Sequence, residues 1–116
     1  MKALEVLFKA QKPTPGLYPT AINVQNGEFP RQGGPYTIGA LADSFYEYLL
    51  KLWLISDGED ESFRTRYEES ADAIRRVLVK TTSDGYMYIG EGDENGVAPT
   101  MEHLVCTCIL LIYQIR

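Results

Sequence analysis

The chain has 116 residues, 45% hydrophobic and 23% charged, with a net charge of −5. That length ordinarily makes one small domain, the hydrophobic share argues against disorder, and no basic stripe exists to neutralise nucleic-acid phosphates. The first nine residues are no secretory signal, because their apolar stretch is short and Glu5 interrupts it. The apolar run 104–113 falls well short of the roughly 20 residues that span a bilayer, so no membrane segment is visible.

In chain order, residues 2–10 read as the tail of a helix with Leu4, Leu7 and Phe8 on one side. Pro13 and Pro15 end it and Gly16 turns the chain. Residues 17–24 favour β structure, and Asn26-Gly27 is a turn signal, so a short hairpin or bulged loop is expected there. An irregular segment from Pro30 to Pro35 follows. A helix is expected over 38–56, stopped by Asp57-Gly58. Glu59, Asp60 and Glu61 then suit the positive end of a second helix. Phe63, Tyr67, Ala71, Ile74 and Leu78 line one face of it. Arg64, Glu68, Asp72, Arg75 and Arg76 line the other, which reads as a solvated face on the outside of the fold. Residues 83–85 turn into a short strand, 86–89. The acidic, glycine-rich stretch 91–99 reads as a plain loop; Asp93-Glu94-Asn95-Gly96 has the wrong register for a calcium loop.

The first of these two helices carries the most information. It is apolar nearly all the way round, as a buried helix is. Yet Asp43 and Glu47, four residues apart, point the same way from it. Ionised carboxylates are costly to bury without partners, so one edge of the helix should open onto a water-filled cavity or ligand site. The competing reading makes Asp43 an N-cap and Glu47 a solvated acid of the first turn.

Asp43-Ser-Phe-Tyr-Glu-Tyr-Leu-Leu-Lys51 followed by Trp53 resembles a signature of the class I α-1,2-mannosidases, glycoside hydrolase family 47. Gly16-Leu-Tyr-Pro19 with Asn23 and Gly27, Gly85-Tyr-Met-Tyr-Ile89, and Met101-Glu-His-Leu-Val-Cys106 resemble three further family stretches, in the same order. The resemblance implies a mainly α fold, a slice of an (α/α)7 barrel with a short β-hairpin, over residues 1–106. Residues 107–116 read as a divergent tail. It further implies inverting hydrolysis of terminal α-1,2-linked mannose from high-mannose N-glycans, in the endoplasmic reticulum or Golgi. A family member of this kind holds calcium at the pocket floor, but the threonine that ligates it falls beyond residue 116. No metal ligand is expected within this chain.

By the same resemblance Asp43 falls on a catalytic acid/base aspartate and Glu47 on a glutamate contacting sugar and ordered water. Leu41 stands where subgroups differ, leucine being the more Golgi-like choice; with it His103 is a substrate-binding candidate, though a lone histidine entering an apolar helix also reads as a core or capping histidine. The other catalytic glutamates fall before residue 1 and after residue 116. The expectation is therefore an enzyme fragment inactive alone, with a non-catalytic mannosidase-like glycan-binding module as the alternative. Geometry agrees that one carboxylate partner is missing. An inverting pair flanks the sugar about 6.5–9.5 Å apart, whereas Asp43 and Glu47 approach from one side. Cys106 and Cys108, at i and i+2 on a helix, cannot pair with each other and read as two buried thiols. In the family the counterpart of Cys106 pairs with a cysteine further along, so here a free thiol is expected.

Overall fold

The computed structural model describes residues 2–30, 35–39, 42–93 and 96–100, and the architecture below concerns those residues. It is mainly helical, with two small antiparallel sheets. Helix α1 is Lys2–Lys9, an amphipathic helix whose Leu7 and Phe8 lean on the core. Phe8 meets Phe63 edge-on, with ring centroids 6.0 Å apart.

After α1 the chain turns through Pro13 and Pro15 and inserts Gly16-Leu17-Tyr18-Pro19, four buried residues, into the core. Gly16 has φ +86, and a β-carbon on it would lie 2.5 Å from the Glu69 carbonyl oxygen. Only glycine lets the backbone come this close in that conformation. Residues 23–28 then close a loop through Asn23 N–H to Glu28 O (3.0 Å) and Gly27 N–H to Asn23 O (2.8 Å). The Asn23 and Asn26 side-chain oxygens accept from the N–H groups of Gln25 and Glu28. Such side-chain turns compete with a strand ladder, which is why the bulged-loop form is adopted and no hairpin forms here.

Helix α2 is Asp43–Ile55, five residues shorter at its start than the periodicity predicts. The reason is tertiary. Tyr36 exchanges backbone hydrogen bonds with Gly92 (2.7 and 3.0 Å), which holds that residue extended. The Thr37 hydroxyl accepts the Gly39 N–H at 2.9 Å, a local turn that replaces the first helical turn. The end of α2 is as expected: Asp57 and Gly58 both take positive φ, 54° and 76°.

Helix α3, Glu61–Ala73, opens with Asp60 as N-cap, its carboxylate accepting from Ser62 N–H at 3.1 Å. It runs into a π turn, Ile74–Leu78. Phe63, Tyr67, Ala71, Ile74 and Leu78 are all buried, so the predicted apolar face is the real one. The opposite face carries Arg64–Glu68 and Arg75–Asp72 ion pairs in solvent. α2 packs against α3 as an αα-hairpin, and Arg64 lies 5.4 Å over the Trp53 ring between them.

Strand β1 (Val79–Thr81) pairs with β2 (Met87–Ile89) across the expected Ser83-Asp84-Gly85 turn, with Val79 opposite Ile89. β3 (Glu91–Asp93) pairs with β4 (Gly96–Ala98), so the stretch expected to be a plain loop is a second hairpin. Its strands have three residues each and little β-favouring character. Pairing with Tyr36, and the close approach of Val97 and Ala98 to Gly90, hold it in place.

The core lies between α2, α3 and the segments around Leu17 and Tyr36–Ile38. Among the described residues, α2 is covered on one side only. Leu49 is fully buried, and Phe45, Leu52 and Trp53 are partly so. Tyr48 (53% exposed), Leu54 (57%) and Ile55 (75%) are the uncovered ones. Two substitutions test the packing of the inserted segment. Gly16→Ala is expected to cost at least about 2 kcal/mol, from backbone strain and overpacking together. Tyr46→Phe, which strands the buried Tyr18 N–H, should cost about 1–3 kcal/mol. Denaturant midpoints on the folded polypeptide measure both.

Candidate active site

The candidate site is built on the first two turns of α2. Their orientation is set by what they bury. Phe45 packs 4.6 Å from the Tyr18 ring, and Tyr46 lies 6.2 Å from the same ring. The Tyr46 hydroxyl also accepts the Tyr18 backbone N–H at 3.1 Å. With Phe45, Tyr46, Leu49 and Leu50 turned inward, helical periodicity turns Ser44, Tyr48, Lys51 and Ile55 outward, where all four are exposed.

Asp43 is the first helical residue, and the N-cap is Ala42, which makes no side-chain capping bond. The reading of Asp43 as N-cap is thereby excluded. A carboxylate is still favoured there by the positive end of the helix dipole. Glu47 falls one turn later, beyond the first turn, with its α-carbon about 6 Å further along the axis. The two candidate acids are therefore consecutive rungs on one helix, as the spacing predicts.

The Glu47 side chain is 28% exposed, and its Oε1 lies 2.6 Å from Lys51 Nζ. Lys51 Nζ also stands 5.3 Å from the centre of the Tyr48 ring. A carboxylate, an ammonium and an aromatic face thus meet on the outward side of α2. The hydrogen bond from Lys51 to Glu47 holds the ammonium above the ordinary lysine pKa of 10.5, with the Glu47 charge adding to it. Lys51 was not singled out from the sequence, although glutamate four residues before lysine is a readable pairing signal.

Leu41 and His103 lie outside the described residues, as do Glu102, Cys106, Cys108 and the division expected after residue 106. Asp43 is described by its backbone alone. Among the described residues no group of three His, Cys, Asp or Glu is placed to hold a metal ion. Glu91 is half-buried on β3, accepting from the Thr37 hydroxyl at 2.7 Å. No sequence signal marked that contact, which joins residues 54 apart. A groove of about 670 Å³ runs between α1 and the loop 26–30, lined by Val6, Lys9, Gln11, Asn26, Glu28 and Phe29. It includes none of the α2 residues. No described helix is long and apolar enough to cross a membrane.

The model of glycosyl hydrolase family 47 matches residues 1–112 of the chain. The chain is 39% identical over 108 residues to mannosyl-oligosaccharide 1,2-alpha-mannosidase IB of Mus musculus, covering 91% of this chain and 16% of the mouse protein. It is 37% identical over 102 residues to mannosyl-oligosaccharide alpha-1,2-mannosidase IA of Drosophila melanogaster, covering 88% and 15%. It is 36% identical over 110 residues to mannosyl-oligosaccharide 1,2-alpha-mannosidase of Candida albicans, covering 90% and 19%. The chain thus spans less than a fifth of the length of these relatives.

The Glu47–Lys51 contact makes a direct prediction. Site-resolved NMR titration should place the Lys51 pKa above 10.5, and Glu47→Gln should lower it. A raised lysine pKa stabilises the fold below the unfolded value and loses that contribution as pH rises through the folded one. Lys51 is solvent-exposed, so the accompanying stability change should be slight, and added salt should weaken it.

Proposed function

Because the chain belongs to glycosyl hydrolase family 47, we propose that it forms part of the catalytic domain of an α-1,2-mannosidase that trims high-mannose N-glycans. The observation that carries this reading is the placement of Asp43 at the start of α2, one turn before Glu47, on a helix that the motif residues themselves orient. Asp43 is the acid/base carboxylate. Glu47 orients a sugar hydroxyl or the attacking water, and Leu41 and His103 contact the substrate.

An inverting hydrolase needs a second carboxylate across the ring, about 6.5–9.5 Å from the first. Two groups on one helix face cannot meet that requirement, so the partner belongs to another element of the domain. Among the described residues no cluster of His, Cys, Asp or Glu is placed to hold the calcium the family implies. The secretory pathway is the compartment in which such a substrate is met.

The wider architecture follows from the same asymmetry. α2 is apolar on two sides with one side uncovered, while α3 has one apolar and one charged face. An inner and an outer helix of an (α/α)7 barrel would differ in this way, and α2–α3 is proposed as one such pair. The exposed Tyr48 ring beside Glu47 also favours the second reading, glycan binding without hydrolysis, since sugars stack on aromatic rings and hydrogen-bond to carboxylates.

The test uses the polypeptide that carries these residues within a complete domain, with calcium and a high-mannose oligosaccharide. Release of mannose in the inverted anomer is expected, and Asp43→Asn should reduce it by about 10²–10⁴-fold, the usual worth of a general acid or base. Unchanged hydrolysis in Asp43→Asn would overturn the assignment. Retained glycan binding with no hydrolysis by the unmodified domain would select the second reading. The 116 residues alone should release no mannose and should associate or bind hydrophobic dyes through Tyr48, Leu54 and Ile55. A monomer with a sharp thermal transition would contradict that.

A further inference from the structure

The N-cap residue of α2, Ala42, contributes no side-chain bond to the start of the helix, and Asp43 follows at once. The constraint arrives from β3, through a chain of hydrogen bonds. The half-buried Glu91 carboxylate accepts the Thr37 hydroxyl proton at 2.7 Å. The same hydroxyl oxygen accepts the Gly39 N–H at 2.9 Å, and the Gly39 carbonyl accepts the Ala42 N–H at 3.2 Å. Thr37 is buried, so without Glu91 its hydroxyl proton would lose its acceptor.

We propose that Glu91 is a positioning residue, acting through Thr37 to fix Gly39 and Ala42, and with them the start of α2 and the placement of Asp43. The inference rests on the reading of Asp43 as the catalytic carboxylate. Glu91 has no part in the chemistry itself. Its charge strengthens the bond from Thr37, because hydrogen bonds to ionised acceptors are shorter and stronger than neutral ones. The backbone pairing of Tyr36 with Gly92 holds the hairpin to the core independently of this side chain. Removing the carboxylate therefore loosens the approach to α2 while the fold survives.

The experiment is kinetic and uses the same complete domain with high-mannose oligosaccharide. Glu91→Ala should lower kcat about tenfold with KM within about twofold, since a small misplacement of a reacting group is costly while binding contacts persist. Thr37→Val, which keeps the volume and removes the hydroxyl, should do the same. Glu91→Gln, whose amide oxygen still accepts from Thr37, and Thr37→Ser should retain most of kcat. Amide exchange at Phe45 and Tyr46, which hydrogen-bond back to Ala42, should quicken in the two disruptive variants alone. A wild-type kcat in Glu91→Ala would overturn the proposal, as would equal losses in Glu91→Gln and Glu91→Ala. Should the unmodified domain release no mannose, the functional reading fails. The positioning claim is then decided by amide exchange, unchanged rates in both disruptive variants overturning it.

Discussion

The rest of the structure depends on the insertion of Gly16-Leu17-Tyr18-Pro19 between the two long helices. Tyr18 gives its backbone N–H to the hydroxyl of Tyr46 on α2, 28 residues away, and its ring is enclosed by Phe29, Phe45 and Tyr46. On the other side Gly16 lies against the α3 backbone at Glu69 and Ala73. One extended segment thus touches both helices through groups that tolerate little displacement, a buried hydrogen bond and a glycine without room for a side chain. Burial also pushes the Tyr18 phenol above its ordinary pKa, while Arg66 nearby pulls in the opposite direction. Arg66 in turn stacks 4.1 Å over Phe8, which brings α1 into the same cluster.

This clasp decides the rotation of α2, and rotation decides what α2 offers to solvent. Phe45, Tyr46, Leu49 and Leu50 are consumed by packing against the clasp and α3. Burying each large apolar side chain contributes about 1.5–3 kcal/mol, whereas the Glu47–Lys51 pair lies in solvent and is screened by it. The apolar residues therefore choose the orientation, and Glu47, Tyr48 and Lys51 follow as its consequence. A site arranged in this way needs no stabilising energy of its own, since its geometry is inherited from the core beneath it.

Periodicity made legible whatever local sequence determines. The apolar face of α3 and the stop at Asp57-Gly58 are written in residues a few positions apart, and the structure follows them. So is the Asp43–Glu47 spacing. The start of α2 was not legible, because Thr37 and Ile38 carry nothing that announces a partner on β3. The β3–β4 hairpin was equally hidden: Glu91, Gly92 and Gly96 do not form a β pattern, and pairing is imposed by Tyr36 and by close packing at Gly90. In the site, acids that repeat at helical spacing could be found, whereas the Thr37–Glu91 bond could not. Contacts between residues far apart in sequence leave no period to read.

The density of the motif at Asp43-Ser-Phe-Tyr-Glu-Tyr-Leu-Leu-Lys51 has a physical origin in this division of labour. A helix that must bury one side and present chemistry on the other has almost no neutral positions. Phe45 and Tyr46 hold Tyr18, Leu49 and Leu50 reach the core, and Glu47, Tyr48 and Lys51 form the outward group. Replacing an inward residue turns or loosens the helix and so displaces the outward ones. Replacing an outward residue changes the charged and aromatic groups that α2 presents to solvent. The same logic extends upstream to Gly16 and Tyr18, which set the angle at which α2 presents Glu47, Tyr48 and Lys51. Chemistry and packing are coupled through the rotation of a single helix, and that coupling is why segments so distant in the chain share one signature.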